Sequence, residues 1–216
     1  PTSKPIADWM ASHANGPTVL VDPAGRWHDP AHVADTLLVA DPVWLCEAVV
    51  AHLGDTGPAA LDWLCDWQAA DRRAQQVLTE ACRAEGWEGA VARAVVQTLP
   101  EGSLLHVASS MPIRDLDGFT PTVPRDLRVL ASRGANGIDG TLATALGEAI
   151  AWGGPAALLL GDLAFLHDVG ALAVARQTAV PLAIVVVDNR GGGIIDHLPI
   201  SAHPTAFEPL FIADQG

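Results

Sequence analysis

The stretches Ala156-Ala157-Leu158-Leu159-Leu160-Gly161-Asp162 and Leu182-Ala183-Ile184-Val185-Val186-Val187-Asp188-Asn189-Arg190-Gly191-Gly192-Gly193 decide the fold. Each is an apolar run of strand length that ends on an acidic or amide residue beside glycine. Neither alternates with polar residues, so each reads as a strand covered on both faces. Two further runs, at 103–108 and 128–132, come before them, with helical segments of small residues between. Strands alternating with helices predict an α/β architecture, a parallel sheet with helices on both faces and right-handed crossovers. Ligands of such sheets gather beyond the carboxyl ends of the strands, where Asp162 and Asn189 fall. The interval between these two residues holds one helix, expected at about 166–178, and one return strand, the content of a single βαβ step.

If the two strands are neighbours, they deliver Asp162 and Asn189 to the same sheet edge. One carboxylate and one amide oxygen suit Mg²⁺, a hard cation that takes oxygen donors and commonly keeps substrate phosphates among them. The three glycines after Arg190 lack Cβ, so a backbone carbonyl can approach the ion. Backbone amides following Asp162 can take diphosphate oxygens. Gly-Asp after a strand is also a routine helix start; the ordered combination of strand, Gly-Asp, crossover, strand, Asn and glycine run points to a cation-diphosphate site.

Composition limits the alternatives. Of 216 residues half are hydrophobic and 17% are charged, which excludes intrinsic disorder. The 12 Lys and Arg against 25 Asp and Glu leave a net charge of −13, which argues against nucleic acid or an anionic membrane surface as the partner. The apolar runs are well short of a membrane span. Cys46, Cys65 and Cys82 have neither disulfide-framework nor zinc spacing and are expected to be core thiols in a reducing cytoplasm. Residues 4–14 read as a helix, 17–22 as a buried strand, Pro23-Ala24-Gly25 as a turn and Pro42 to Leu53 as a helix capped by Asp41. Residues 59–98 read as mostly helical and carry no motif that translates into chemistry. The sequence stops without a closing helix or strand pattern and is expected to be a piece of something longer.

Four blocks extend the argument beyond the cofactor motif: Ser109-Ser110-Met111-Pro112-Ile113-Arg114, Ser132-Arg133-Gly134-Ala135-Asn136-Gly137-Ile138-Asp139-Gly140, Gly161-Asp162-Leu163-Ala164-Phe165-Leu166-His167-Asp168, and Asn189-Arg190-Gly191-Gly192-Gly193-Ile194. In this order they resemble the thiamine-diphosphate-dependent 2-succinyl-5-enolpyruvyl-6-hydroxy-3-cyclohexene-1-carboxylate synthase (MenD) family, closely over about residues 103–211. A weaker echo lies in Gly25-Arg26-Trp27-His28-Asp29-Pro30, which resembles the end of that family's middle domain, and no resemblance extends to 55–88. The implied organisation is the end of a middle α/β domain over 1–53, a helical connector over 54–100, and a thiamine-diphosphate/Mg²⁺-binding domain, truncated at its carboxyl end, over 101–216.

The resemblance implies that Asp162, Asn189 and the carbonyl of Gly191 hold Mg²⁺, while Leu163 and Ala164 contact the diphosphate of thiamine diphosphate through their backbone. It places Ile138 under the cofactor, with Ile194 and Leu198 lining the pocket, and turns Ser110, Arg114 and Arg133 toward the substrates. The family decarboxylates 2-oxoglutarate and adds the succinyl unit to isochorismate. Both substrates are dicarboxylates, and planar Arg forks are the expected carboxylate clamps on so acidic a chain.

Two departures matter. The family pattern's Asn-Asn is Asp188-Asn189 here, which adds a negative charge near the cation. The family also takes a cofactor-activating Glu from a separate domain, usually of the partner subunit in a homodimer or homotetramer, and nothing in this sequence matches that domain. The alternatives are therefore another 2-oxo acid decarboxylase or carboligase of the acetolactate-synthase kind, or a non-catalytic binding or assembly module. His28 and His32 are discounted as a metal pair because Pro30 lies between them. His167 and His197 read as structural residues, and Trp63 with Trp67 as a packing face toward another domain.

Overall fold

Local chemistry accounts for the first elements. The computed structural model describes all residues except 1–3, 14–15, 55–56, 58–60, 85, 123–124, 133–136, 179 and 213–216. Helix α1 is Lys4–Ser12, and strands β1 (Val19–Val21) and β2 (Thr36–Leu38) pair in parallel. Asp41 caps helix α2 (Pro42–Leu53), its Oδ1 accepting the N–H groups of Val43 at 2.8 Å and Trp44 at 3.0 Å, with Pro42 in the first turn. Helices α3 (Leu61–Ala81) and α4 (Glu88–Thr98) follow. The chain divides into two units, Pro1–Asp71 and Arg72–Gly216, with the division inside α3.

Two expectations for the first unit are corrected. β1 is not a buried strand: Val19 is 52% exposed, because a two-stranded ribbon offers its residues little cover. The cysteines are not core thiols. Cys46 and Cys65 are exposed and Cys82 is half-buried. Cys46 sits on α2, which buries none of its residues despite being almost wholly apolar, so composition there does not report burial.

The second unit carries the sheet. Its order is β4-β3-β5-β6, all parallel, from β3 (Leu104–Val107), β4 (Arg128–Ala131), β5 (Ala156–Gly161) and β6 (Leu182–Val187). Helix α5 (Met111–Phe119) joins β3 to β4, and α6 (Thr141–Trp152) joins β4 to β5. Alternation along β5 sorts its side chains to two cores. Leu158 and Leu160 pack with Leu142, Ala145 and Leu146 of α6, whereas Ala157 and Leu159 pack with Ala92, Val95 and Val96 of α4. The sheet is thus covered on both faces, as its unbroken apolar strands require. β6 is different, since Val186 is 39% exposed and the strand has one described neighbour, β5.

The helix expected at about 166–178 is broken. It begins earlier, as α7 (Asp162–His167), passes through a 3₁₀ turn at Val169–Ala171 and ends as α8 (Leu172–Ala175). The break follows from the work of Asp168, whose Oδ2 accepts the N–H of Ala143 at 2.7 Å. It thereby serves the first turn of α6, whose own cap residue, Gly140, has no side chain to do so. Helix α9 (Pro204–Phe211) closes the described chain after 3₁₀ turns at Gly193–His197 and Pro199–Ala202. Among the described residues no helix is long and apolar enough to cross a membrane.

Candidate functional site

β5 and β6 pair to their last residues, Leu160 with Val186 and Gly161 with Val187. The register therefore carries Asp162 and the Asp188–Gly193 loop to one rim. Asp162 makes the join: its Oδ1 accepts the N–H of Leu163 at 2.8 Å, and its Oδ2 accepts the N–H of Gly191 across the rim at 2.6 Å. The loop turns through positive φ at Arg190 (64°), Gly191 (78°) and Gly192 (71°). This left-handed path is easy for glycine and costly for most other residues. Asp188 stabilises it from within, its Oδ1 accepting the N–H of Arg190 at 2.9 Å, so the carboxylate that replaces the family's first Asn is spent on its own loop.

A cleft of about 230 Å³ opens at this rim. It is bordered by Asp162, Leu163, Ala164 and Asn189, by the sequence-expected Ser110, Ile138 and Ile194, and by Glu88, which the sequence did not single out. Gly193 has no Cβ here because one would overlap the Asn189 amide. Asn189 in turn donates from Nδ2 to Glu88 Oε1 at 3.0 Å. Ser110 occupies the cap position of α5 without a side-chain capping bond, at φ 76° and ψ −135°. That conformation is rare for serine, and the hydroxyl is not used as a helix cap.

Other expected residues stand apart. Arg114 is exposed and donates from Nη1 to the Ser110 carbonyl at 2.6 Å, so it braces the serine's backbone instead of bordering the cleft. Leu198, 53% exposed, does not border it either. Arg133 lies outside the described residues. His167 ends α7 away from the cleft, while His197 acts electrostatically on Asp115.

The donor chemistry fits a hard divalent cation with a phosphorylated ligand. Asp162 and Glu88 put two carboxylates on the cleft, and none of its described lining residues is Lys or Arg. A diphosphate entering such a place meets repulsion unless a cation lies between. Asp162 and the Asn189 amide offer the cleft oxygen donors of the kind Mg²⁺ prefers, whereas Gly191, expected to add its carbonyl, is not among the residues that border it. Glu88 Oε2 is shielded from solvent and has no hydrogen-bond partner in the protein, a group that seeks a donor such as a cation-bound water. Among the described residues no three His, Cys, Asp or Glu side chains gather as a metal cluster.

Asp115, on α5 and 3% exposed, feels the site's charge. Burial, reinforced by the Glu88 carboxylate, pushes its carboxyl up from 3.8 to about 6, with His197 pulling the other way. A folded value above the unfolded one favours the protonated fold. The stability from this group is therefore full below about pH 4 and is lost as pH rises to about 6, by at most about 3 kcal/mol. Asp115→Asn is expected to remove that loss: in urea unfolding the variant should gain on the native protein between pH 4 and pH 7. An unchanged difference across that range would refute the assignment.

Comparisons with known proteins bear on the family. Residues 119–209 match the family model described as thiamine pyrophosphate enzyme, C-terminal TPP binding domain. A 2-succinyl-5-enolpyruvyl-6-hydroxy-3-cyclohexene-1-carboxylate synthase of Myxococcus xanthus is 47% identical over 100% of this chain and 37% of its own length. The synthase of the same name from Sorangium cellulosum is 44% identical over 95% of this chain and 35% of its own length. That from Haloarcula marismortui is 40% identical over 100% of this chain and 36% of its own length. The chain thus spans a little over a third of the relatives it matches.

Proposed function

The chain belongs to the thiamine-diphosphate-dependent 2-succinyl-5-enolpyruvyl-6-hydroxy-3-cyclohexene-1-carboxylate synthase family, and from that we propose that it forms the part of such a synthase that grips thiamine diphosphate through Mg²⁺. The observation that carries this reading is the bond from Gly191 N–H to Asp162 Oδ2, which ties the ends of β5 and β6 into one rim. Within it Asp162, Asn189 and the Gly191 carbonyl hold the cation. The backbone at Leu163 and Ala164 faces the diphosphate, although the Leu163 N–H is shared with Asp162 Oδ1. Ile138 and Ile194 give the cofactor apolar walls that exclude water, and Leu198, which the family resemblance adds to this lining, stands outside the cleft.

When bound, thiamine diphosphate supplies a nucleophilic carbon that adds to a 2-oxo acid and accepts the electron pair released with CO₂. The residues of this chain bind and orient. Arg114 and Arg133 pair with the carboxylates of 2-oxoglutarate and isochorismate, and Ser110 offers its uncapped hydroxyl as a hydrogen-bond partner to substrate. The reaction of the whole protein is decarboxylation of 2-oxoglutarate and transfer of the succinyl unit to isochorismate, in a cytoplasmic homo-oligomer whose partner subunit brings the activating Glu. In this reading residues 1–53 end a middle domain, 54–100 connect, and 101–216 hold the cofactor.

Calorimetry on the full-length protein tests the proposal: thiamine diphosphate should bind only with Mg²⁺ present, and 2-oxoglutarate should be consumed only with isochorismate. Turnover of pyruvate in its place would assign the chain to an acetolactate-synthase-like relative. Arg114→Ala should leave cofactor binding within about twofold and lower kcat/KM at least about tenfold, as expected for a lost carboxylate clamp. Equal loss of both would contradict the division between cofactor and substrate residues.

A further inference from the structure

We propose that Glu88 is a positioning residue that fixes the Asn189 amide with its oxygen toward the cation, an inference that rests on the Mg²⁺ reading above. The Asn189 side chain is a symmetric-looking group with two opposite chemistries, and only the carbonyl end can ligate a hard cation. Glu88 Oε1 accepts from Asn189 Nδ2 at 3.0 Å. The flipped amide would set its oxygen against the carboxylate oxygen at the same distance, two acceptors with no proton between them. The Glu88 carboxylate therefore selects one of two orientations, and in that one the amide oxygen points away from Glu88.

Glu88 is itself held firmly. It begins α4, and the residues on either side of it anchor the turn. Trp87 packs on Phe119 of α5 with ring centroids 4.7 Å apart, and Gly89 is free of the Cβ that would overlap the same Phe119 ring. The start of the helix cannot shift relative to α5 without breaking this double contact. A ligand oriented by a charged, packed neighbour is the usual architecture of metal sites, where such partners contribute about 10–100-fold in metal affinity.

A simpler explanation is that an acidic first-turn residue merely complements the helix dipole of α4. The two explanations differ in what they move. Dipole complementarity changes stability alone, whereas orientation of Asn189 changes metal affinity.

The test uses the full-length protein with thiamine diphosphate and Mn²⁺, following the electron paramagnetic resonance signal of free Mn²⁺. Native protein should bind Mn²⁺ in a cofactor-dependent way. Glu88→Ala should weaken that affinity about 10–100-fold. Glu88→Gln, whose Oε1 can still accept from Asn189 Nδ2 but whose Nε2 can also donate to the flipped amide, should lose only the share of molecules in the flipped orientation and stay within about threefold of native. Native-like affinity in Glu88→Ala, or a loss in Glu88→Gln as large as in Glu88→Ala, would overturn the proposal, the second by showing that charge and not orientation matters. Should Glu88→Ala fail to fold, Glu88→Met, which keeps the length of the side chain without a strong acceptor, takes its place with the same expected loss and the same overturning results. Absence of cofactor-dependent Mn²⁺ binding in the native protein would instead overturn the Mg²⁺ reading, and the role of Glu88 with it.

Discussion

Asp162→Ala is expected to abolish Mg²⁺-dependent binding of thiamine diphosphate, with an affinity loss above about 100-fold, since a direct ligand exceeds the 10–100-fold typical of its supporting neighbours. The substitution removes the one side chain that both offers a carboxylate to the cation and closes the rim. It also strands the N–H groups of Leu163 and Gly191, which donate to its two oxygens. Unpaired donors in a half-buried site cost about 1–3 kcal/mol each, so the 190–193 loop should loosen as well. Asp162→Asn separates the two effects in part, because its single amide oxygen can still accept from Gly191 while the charge is gone and the Leu163 N–H loses its acceptor. Calorimetry should find Asp162→Asn also badly impaired, with melting between that of Asp162→Ala and native, since one of the two N–H groups keeps its acceptor. Full affinity in Asp162→Asn would show that the rim hydrogen bonds, and not the charge, make the site.

Gly193→Ala should lower cofactor affinity about tenfold or more while costing little stability. Its new Cβ would overlap the Asn189 side chain, which must then swing aside. The fold tolerates that swing, but the swing takes the amide oxygen from its place and breaks the bond to Glu88. Gly147→Ala is the matched control. It lies in α6 with nothing within 4 Å of an added Cβ, so helix propensity should make it neutral or stabilising by about 0.5–1 kcal/mol. Equal binding by the Gly193 and Gly147 variants would contradict the placement of Asn189 as a ligand.

Much of this arrangement was legible because it rests on short-range rules. Unbroken apolar runs meant covered parallel strands, and residues that end neighbouring strands must share an edge, so Asp162 and Asn189 followed from counting. Asp41 and Pro42 declared a helix start through chemistry confined to four residues. What escaped notice depends on contacts that no local pattern encodes. Glu88 and Asn189 are 101 residues apart, and Glu88 lies in a stretch whose composition suggested only helix. A Trp-Glu-Gly start of a helix, with its first fully buried alanine at Ala92, is ordinary until Phe119 is known to pack there. The break after His167 was hidden for a similar reason, since Asp168 bonds to Ala143 on another helix. Arg114 matches the family pattern in sequence, and its bond to the Ser110 carbonyl one helical turn away is a further contact that spacing alone does not announce.

The most direct measurement is a crystal structure of the full-length protein with thiamine diphosphate and Mn²⁺ in place of Mg²⁺, read by the anomalous signal of the metal. A single peak touching the Asp162 carboxylate, the Asn189 amide oxygen and the Gly191 carbonyl, with diphosphate oxygens on its other side, is the predicted result. A metal peak elsewhere, or one that reaches only Asp162 while the Asn189 oxygen faces away, would contradict the account.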